Sequence, residues 1–222
     1  MVFDFLRREK AVAVVPQQKA SATGPVVAYQ TSGRIAWSPR DVVSLTRTGF
    51  CANPVGHRSV KLIAEAAAAV PVGVQDAAQR YDTHPVRILL ARPNGAQGRA
   101  DLLEALYAQL LLSGNAYVEV VAAEDGAPAE LHVLRSDRMS VVPGADGWPV
   151  AYEYAVGGRK HRFDASGPVS PICHIRNFHP QDDHYGFSPL QAAAMAMDVH
   201  NAASRWSKAL LDNAARPSGA IV

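Results

Sequence analysis

The densest run of side chains able to do chemistry is CHIRNFHPQDDH, which brings Cys173, His174, His179, Asp182, Asp183 and His184 close together in the chain. Thiol, imidazole and carboxylate in one run suit a transition metal, and a small metal-dependent hydrolase is the enzyme such a set would serve. The spacing matches no tetrahedral zinc pattern, and His174 alternates with Ile175 as a strand residue does. Asp182 and Asp183 are adjacent and point different ways, so they do not form a carboxylate pair. A solvated polar loop accounts for the run without a metal. Elsewhere there is no G-x-S-x-G elbow and no phosphate-cradling G-x-x-x-x-G-K-[ST]. The second absence means that this stretch does not hydrolyse ATP by a P-loop. Arg58, Lys61, Arg87 and Arg92 are expected to be solvated, and Trp37 and Trp148 to be packing anchors. The sequence assigns no catalytic residue, no cofactor and no metal ligand; the His174–His184 hydrolase stands as the alternative reading.

The elements that must position these residues are clearest at the C-terminal end, GFSPLQAAAMAMDVHNAASRWSKALLDNAARPSGAIV. Ser188 is a good N-cap, Pro189 fits the first helical position, and Gln191 completes a capping box. No glycine or proline interrupts Pro189 to Asn213, and alanine dominates, so a helix of about 37 Å is expected. At 100° per residue, Ala192, Met195, Val199, Ala202, Ala203, Trp206 and Leu210 share one stripe. Asp198, Asn201, Ser204, Arg205, Lys208 and Asp212 collect on the other side. The apolar stripe is expected to meet protein, with Trp206 as its packing anchor. Arg216-Pro217-Ser218-Gly219 stops the helix and Ala220-Ile221-Val222 begins a strand.

Upstream, residues 1–24 combine an apolar tip (Val2, Phe3, Phe5, Leu6) with polar and glycine-containing sequence, which reads as a mobile arm. Ser38-Pro39-Arg40-Asp41 starts a short helix. Asn53-Pro54 opens a longer one, with Val55, Val60, Ile63, Ala64 and Ala67 facing inward, and Val70, Val72 and Val74 then alternate as a strand. His84-Pro85 begins a short helix through Leu90. Another is expected from about Gln97 to Ser113, its core side holding Leu102, Leu103, Leu106, Leu110 and Leu111, with Gly114 as terminator. Ala116–Val121 and Leu131–Leu134 read as paired strands. Met139–Val142, Ala151–Ala155 and Cys173–Ile175 are short strands separated by turn residues. Helices beside a small antiparallel region make an α+β fold.

Composition limits the rest. The 222 residues suffice for one or two cored domains, with 48% hydrophobic and 19% charged residues. A net charge of +2 is too small for a nucleic-acid coat or a membrane-surface binder. No apolar run is long enough to span a membrane, and the N-terminus lacks a signal-peptide core. The two cysteines, Cys51 and Cys173, are far apart and read as reduced thiols.

Five segments occur in a shared order: HPVRILLARPN, LLLSGNAYVEV, ELHVLRSDRM, CHIRNF and GFSPL, followed by the alanine-rich helix and NAARPSGAI. In that order they resemble the portal proteins of tailed, siphophage-type phages, and MVFDFLRR is most similar to portals of alphaproteobacterial gene transfer agents. The resemblance covers about Asn53 to Val222. It implies an arm (1–24), a wing domain (25–186), the first stem helix (187–215) and the start of a clip (216–222), where the family continues further. It implies a homo-oligomeric ring of about twelve subunits at a capsid vertex, made in the bacterial cytoplasm, carrying double-stranded DNA without sequence specificity. Its implied partners are a large terminase ATPase, the major capsid protein and a head–tail adaptor, with no membrane. Asp198, Asn201, Arg205, Lys208 and Asp212 would then face the channel or a neighbouring subunit.

Overall fold

The computed structural model describes residues 37–212; the expected arm and clip lie outside them. Asp41 caps the first helix, α1 (Val42–Leu45), by accepting from the Ser44 N–H at 2.9 Å. Ser38, expected near the helix start, is used elsewhere. The chain continues as a π-helical stretch, Thr46–Cys51, into Asn53, whose side chain accepts from Gly56 N–H and caps α2 (Pro54–Ala69). Proline at the first position of α2 suits a donor that has no partner there in any case.

The buried side of α2 is Gly56, Val60, Ala64 and Ala68, one turn apart. Val55 and Ile63, expected inside, are 58% and 53% exposed. The reason lies in backbone proximity: a Cβ on Gly56 would sit 2.0 Å from the Gly49 carbonyl oxygen. The π-helical stretch therefore lies directly on the small-residue side of α2, which a stripe centred on Val55 and Ile63 could not allow.

A two-stranded ribbon, β1 (Val74–Gln75) with β2 (Arg80–Tyr81), follows, and then α3 (Pro85–Ala91) and α4 (Arg99–Ser113). In α4, Leu102 and Leu112 are fully buried, while Leu103, Leu106, Leu110 and Leu111 are partly so. α4 packs on α2 and on the first turn of the C-terminal helix. Leu45, Val60, Leu112, Leu190, Ala194 and Met197 form this helical core, flanked by Phe50, Ala108 and Leu111.

Two three-stranded antiparallel sheets make up the β region. One has the order β4-β3-β8, from β3 (Asn115–Ala122), β4 (Pro128–Leu134) and β8 (Ile172–Arg176). The other has the order β5-β6-β7, from β5 (Met139–Pro143), β6 (Pro149–Val156) and β7 (Arg159–Asp164). Tyr117, Met139, Tyr152 and Ile172 join the sheets in a second core. The strand β7 was not expected, because five of its six residues, RKHRFD, are polar or charged. It is an edge strand whose Lys160 and Arg162 pair with Glu153 on β6 at 2.9 and 3.6 Å. Charges on an edge discourage further strand pairing and hide the strand from a hydrophobicity pattern.

The expected C-terminal helix is present in two pieces, α5 (Pro189–Ala192) and α6 (Ala194–Asp212). The irregularity at Ala193 has no glycine or proline behind it. It falls between two separate anchorages: α5 is held to the end of α4, and α6 to the segments around α1 and α2.

Candidate functional site

The base of the long helix is a joint made from two short sequence stretches, Ser113-Gly114-Asn115 and Gly186-Phe187-Ser188. Gly114 has φ +79°, and a Cβ there would meet the Gly186 carbonyl at 2.4 Å. The backbones thus touch at glycine on both sides, in a left-handed conformation that terminates α4. Asn115 closes the joint: its Oδ1 accepts from Gly186 N–H at 2.7 Å and its Nδ2 donates to the Ser113 carbonyl at 3.0 Å. Ser188 caps α5 by accepting from the Leu190 and Gln191 N–H groups, and its hydroxyl lies 2.9 and 3.0 Å from the Leu112 and Leu111 carbonyls. Asn177 adds a bond from its backbone N–H to the Gly114 carbonyl at 2.9 Å. The end of α4 and the start of the long helix are therefore one hydrogen-bonded unit. Sequence reasoning took Asn115 for part of a helix stop; its signal was the polar side chain directly after a left-handed glycine.

About three turns further along, α6 is clasped by polar groups. The Asp198 carboxylate is buried, at 6% exposure, and accepts from Ser38 N–H at 2.9 Å and from Ser38 Oγ–H at 2.6 Å. Asn201 accepts from Asn53 Nδ2 at 3.0 Å and donates to the Thr48 carbonyl at 2.9 Å. Met197 fills the space beside Gly49 and Gly56. Asp198 and Asn201, expected on a face open to the channel or a neighbour, are thus engaged by their own chain. The cause is the segment before α1, which crosses this side of the helix and supplies donors that only a polar residue can satisfy.

The apolar stripe has the opposite fate. Met195, Val199, Trp206 and Leu210 are 63%, 47%, 67% and 38% exposed. Trp206, expected as a packing anchor, belongs to neither core among the described residues. Residues 203–212 are all exposed, among them Arg205, Lys208 and Asp212, and Lys208 pairs with Asp212 one turn on. The last turns of α6 therefore stand clear of the described body.

The run from Cys173 to His184 is used structurally. His174 is stacked on Tyr117 (ring centroids 4.2 Å apart) and set edge-on to Tyr152 (5.8 Å). Its Nε2 lies 3.0 Å from Asn115 Oδ1, an acceptor, so a ring proton sits on Nε2. Burial, then the positive charge of Arg176 and the nearby His184, push its pKa down to about 4. Cys173 points to the other, exposed side of β8. The Asp182 carboxylate accepts from the His184 and Tyr185 N–H groups, both at 2.8 Å, and the Asp183 carbonyl accepts from Arg176. His179 Nδ1 accepts from Gln181 N–H. Among the described residues, no three His, Cys, Asp or Glu side chains are grouped to hold a metal ion. His174, Arg176 and His184 do line an open cleft of about 610 Å³ with Trp148 and Tyr152.

This geometry defines an α+β fold in which the most elaborated feature among the described residues is a helix fixed at its base and open along an apolar stripe. Comparison with known proteins makes the class specific. The chain belongs to the phage portal protein family, whose model matches residues 54–222. It is similar to a chain in the neck of an empty gene transfer agent particle computed with C6 symmetry (71% identity, TM-score 0.77, 90% of this chain and 54% of that one). It is also similar to a chain in the neck of the native particle computed with C12 symmetry (66% identity, TM-score 0.72, 90% and 53%). An HK97-family phage portal protein from Corynebacterium diphtheriae shares the fold at 17% identity and TM-score 0.53, over 80% of this chain and 52% of that one. An uncharacterised protein of Rickettsia bellii is 36% identical over 174 residues, 77% of this chain and 44% of its own length. The chain spans about half the length of these relatives.

Proposed function

We propose that this chain is the wing and first stem helix of a portal ring in a particle of the gene transfer agent kind. About twelve copies would close one capsid vertex, let double-stranded DNA pass during packaging and release, and join head to tail. The observation that carries the reading is 71% identity, over 90% of the chain, to a chain in a particle neck. The ring size follows the C12 symmetry of the native neck. No helix among the described residues is long and apolar enough to cross a membrane, in keeping with a place in a particle vertex. In this reading a separate large terminase ATPase drives the DNA, and the major capsid protein and a head–tail adaptor contact the ring. The chain itself performs no catalytic step.

A channel works by geometry and by weak, sequence-blind electrostatics, because many tight phosphate contacts would hold the duplex still. Arg205, Lys208 and Asp212 are the exposed charges of α6 and are assigned to the bore or to a neighbouring subunit; Asp198 and Asn201 are assigned to the joint instead. The test is Arg205→Glu with Lys208→Glu in the particle-producing strain. Both side chains stand clear of the core, so rings are expected to assemble, and particles to carry less DNA. Particles with normal DNA content would overturn the bore assignment, and full-length protein that never forms rings in electron micrographs would overturn the portal reading itself.

A further inference from the structure

The run CHIRNF supplies more than a strand. In the pairing of β8 with β3, His174 lies opposite Tyr117, and Asn115 lies opposite Arg176, two residues on. Such diagonal neighbours on one face of an antiparallel pair are within side-chain reach. We propose that His174 is the positioning residue of the joint at the base of the long helix: its Nε2–H holds the Asn115 amide in the one orientation that closes the joint. This role lies within one chain and is independent of the ring reading.

A backbone group dictates the orientation of the amide. Gly186 N–H can only donate, and it meets one end of the Asn115 amide at 2.7 Å, so that end is the oxygen. The other end lies 3.0 Å from the Ser113 carbonyl and 3.4 Å from the Gly186 carbonyl, which can only accept, so it is the NH2 group. His174 Nε2 faces the same oxygen at 3.0 Å and must therefore carry a proton. Reversing the amide would set NH2 against Gly186 N–H and oxygen against two carbonyls, at a site where Asn115 is only 5% exposed. Moving the ring proton to Nδ1 would leave Nε2 an acceptor facing an oxygen, and a reversed amide would be needed to relieve that. Tautomer and amide are thus locked to each other, and both to Gly186. An asparagine amide on its own has a broad, roughly two-fold terminal torsion and lacks that fixity. The imidazole has it, being stacked on Tyr117 at 4.2 Å and edge-on to Tyr152 at 5.8 Å, so its donor stays aimed. The backbones cannot slide to make up for a turned amide, because a Cβ on Gly114 would already meet the Gly186 carbonyl at 2.4 Å. The same ring lines the open cleft with Trp148 and Arg176, which puts the base of the long helix one hydrogen bond away from a site open to solvent.

The test is hydrogen exchange of the Gly186 N–H in the full chain at neutral pH, read by mass spectrometry with residue-level fragmentation and scaled to the amides of α4. His174→Phe keeps a ring on Tyr117 and removes the donor. His174→Gln gives up the ring and keeps an N–H at about the same reach. Gly186 is expected to exchange at least about fivefold faster than wild type in His174→Phe, and within about twofold of wild type in His174→Gln. A histidine that supplied ring packing alone would give the reverse order. Gly186 as well protected in His174→Phe as in wild type, or no better protected in His174→Gln than in His174→Phe, would overturn the proposal. Should His174→Phe fail to fold, the wild type decides by itself through nitrogen NMR of the histidine-labelled chain. His174 protonated on Nε2 and bare on Nδ1 is expected there, and the opposite tautomer would overturn the proposal.

Discussion

The Asp198 clasp can be tested by deleting its acceptor. Asp198→Ala removes two hydrogen bonds, at 2.6 and 2.9 Å, and strands the Ser38 N–H and hydroxyl beside a small cavity next to Trp37 and Met195. A bond to a carboxylate contributes about 1.5–3 kcal/mol when sheltered. Ser38 is only half-buried and regains some water, so a total of about 2–4 kcal/mol is expected. For a chain of this size that lowers the thermal midpoint by roughly 4–16 °C, at about 2–4 °C per kcal/mol. Asp198→Asn keeps the shape and one acceptor and should lose about half as much. Lys208→Ala, on the exposed end of the same helix, should stay within about 0.5 kcal/mol. The assay is urea unfolding followed by tryptophan fluorescence and by circular dichroism, with the Ser38→Ala/Asp198→Ala double variant closing a cycle. A coupling energy near 1 kcal/mol or more is expected from that cycle. If Asp198→Ala unfolds within about 0.5 kcal/mol of the wild type, the carboxylate is not a clasp, and its assignment to the bore or a neighbour returns.

Two further outcomes follow from the β core. The Tyr117 hydroxyl is buried and finds no hydrogen-bond partner among the described residues, so Tyr117→Phe should stabilise by about 1 kcal/mol, raising the melting midpoint; a loss above about 0.5 kcal/mol would show that the hydroxyl is bonded in solution. His174 binds its proton at about 4 when folded and near 6.5 when unfolded, so the unfolded chain takes up more protons between these values. Its contribution is therefore complete above about pH 6.5 and is lost as pH falls toward 4; His174→Phe should show a flatter stability profile across that window, and parallel profiles would refute the neutral, buried imidazole.

The caps show where sequence and structure agree and why. Asn53-Pro54, His84-Pro85 and Ser188-Pro189 each mark a helix start found in the fold, because a cap is satisfied by the residues next to it. The strands β3, β4, β5, β6 and β8 were legible for the similar reason that their apolar alternation faces a core within the same chain. The failures share a different property. β7 is stabilised by Glu153 on a neighbouring strand, the inner side of α2 by the Gly49 backbone, and Asp198 by Ser38, which is 160 residues away. None of these partners can be read from local periodicity.

The long helix is the sharpest case, because its period was read correctly and its orientation was not. Angular spacing places Met195, Val199, Trp206 and Leu210 on one side and Asp198, Asn201, Arg205 and Lys208 on the other, but it does not say which side meets the same chain. The usual assignment turns the apolar side inward, since burial of apolar surface is the main driving force for packing. Here the inward side near the base combines Ala194 and Met197 with the polar Asp198 and Asn201, because the segment before α1 and Asn53 present donors that must be matched. Among the described residues, α6 is fixed at its base by Ala194, Met197 and these hydrogen bonds, and Trp206 stays outside both cores.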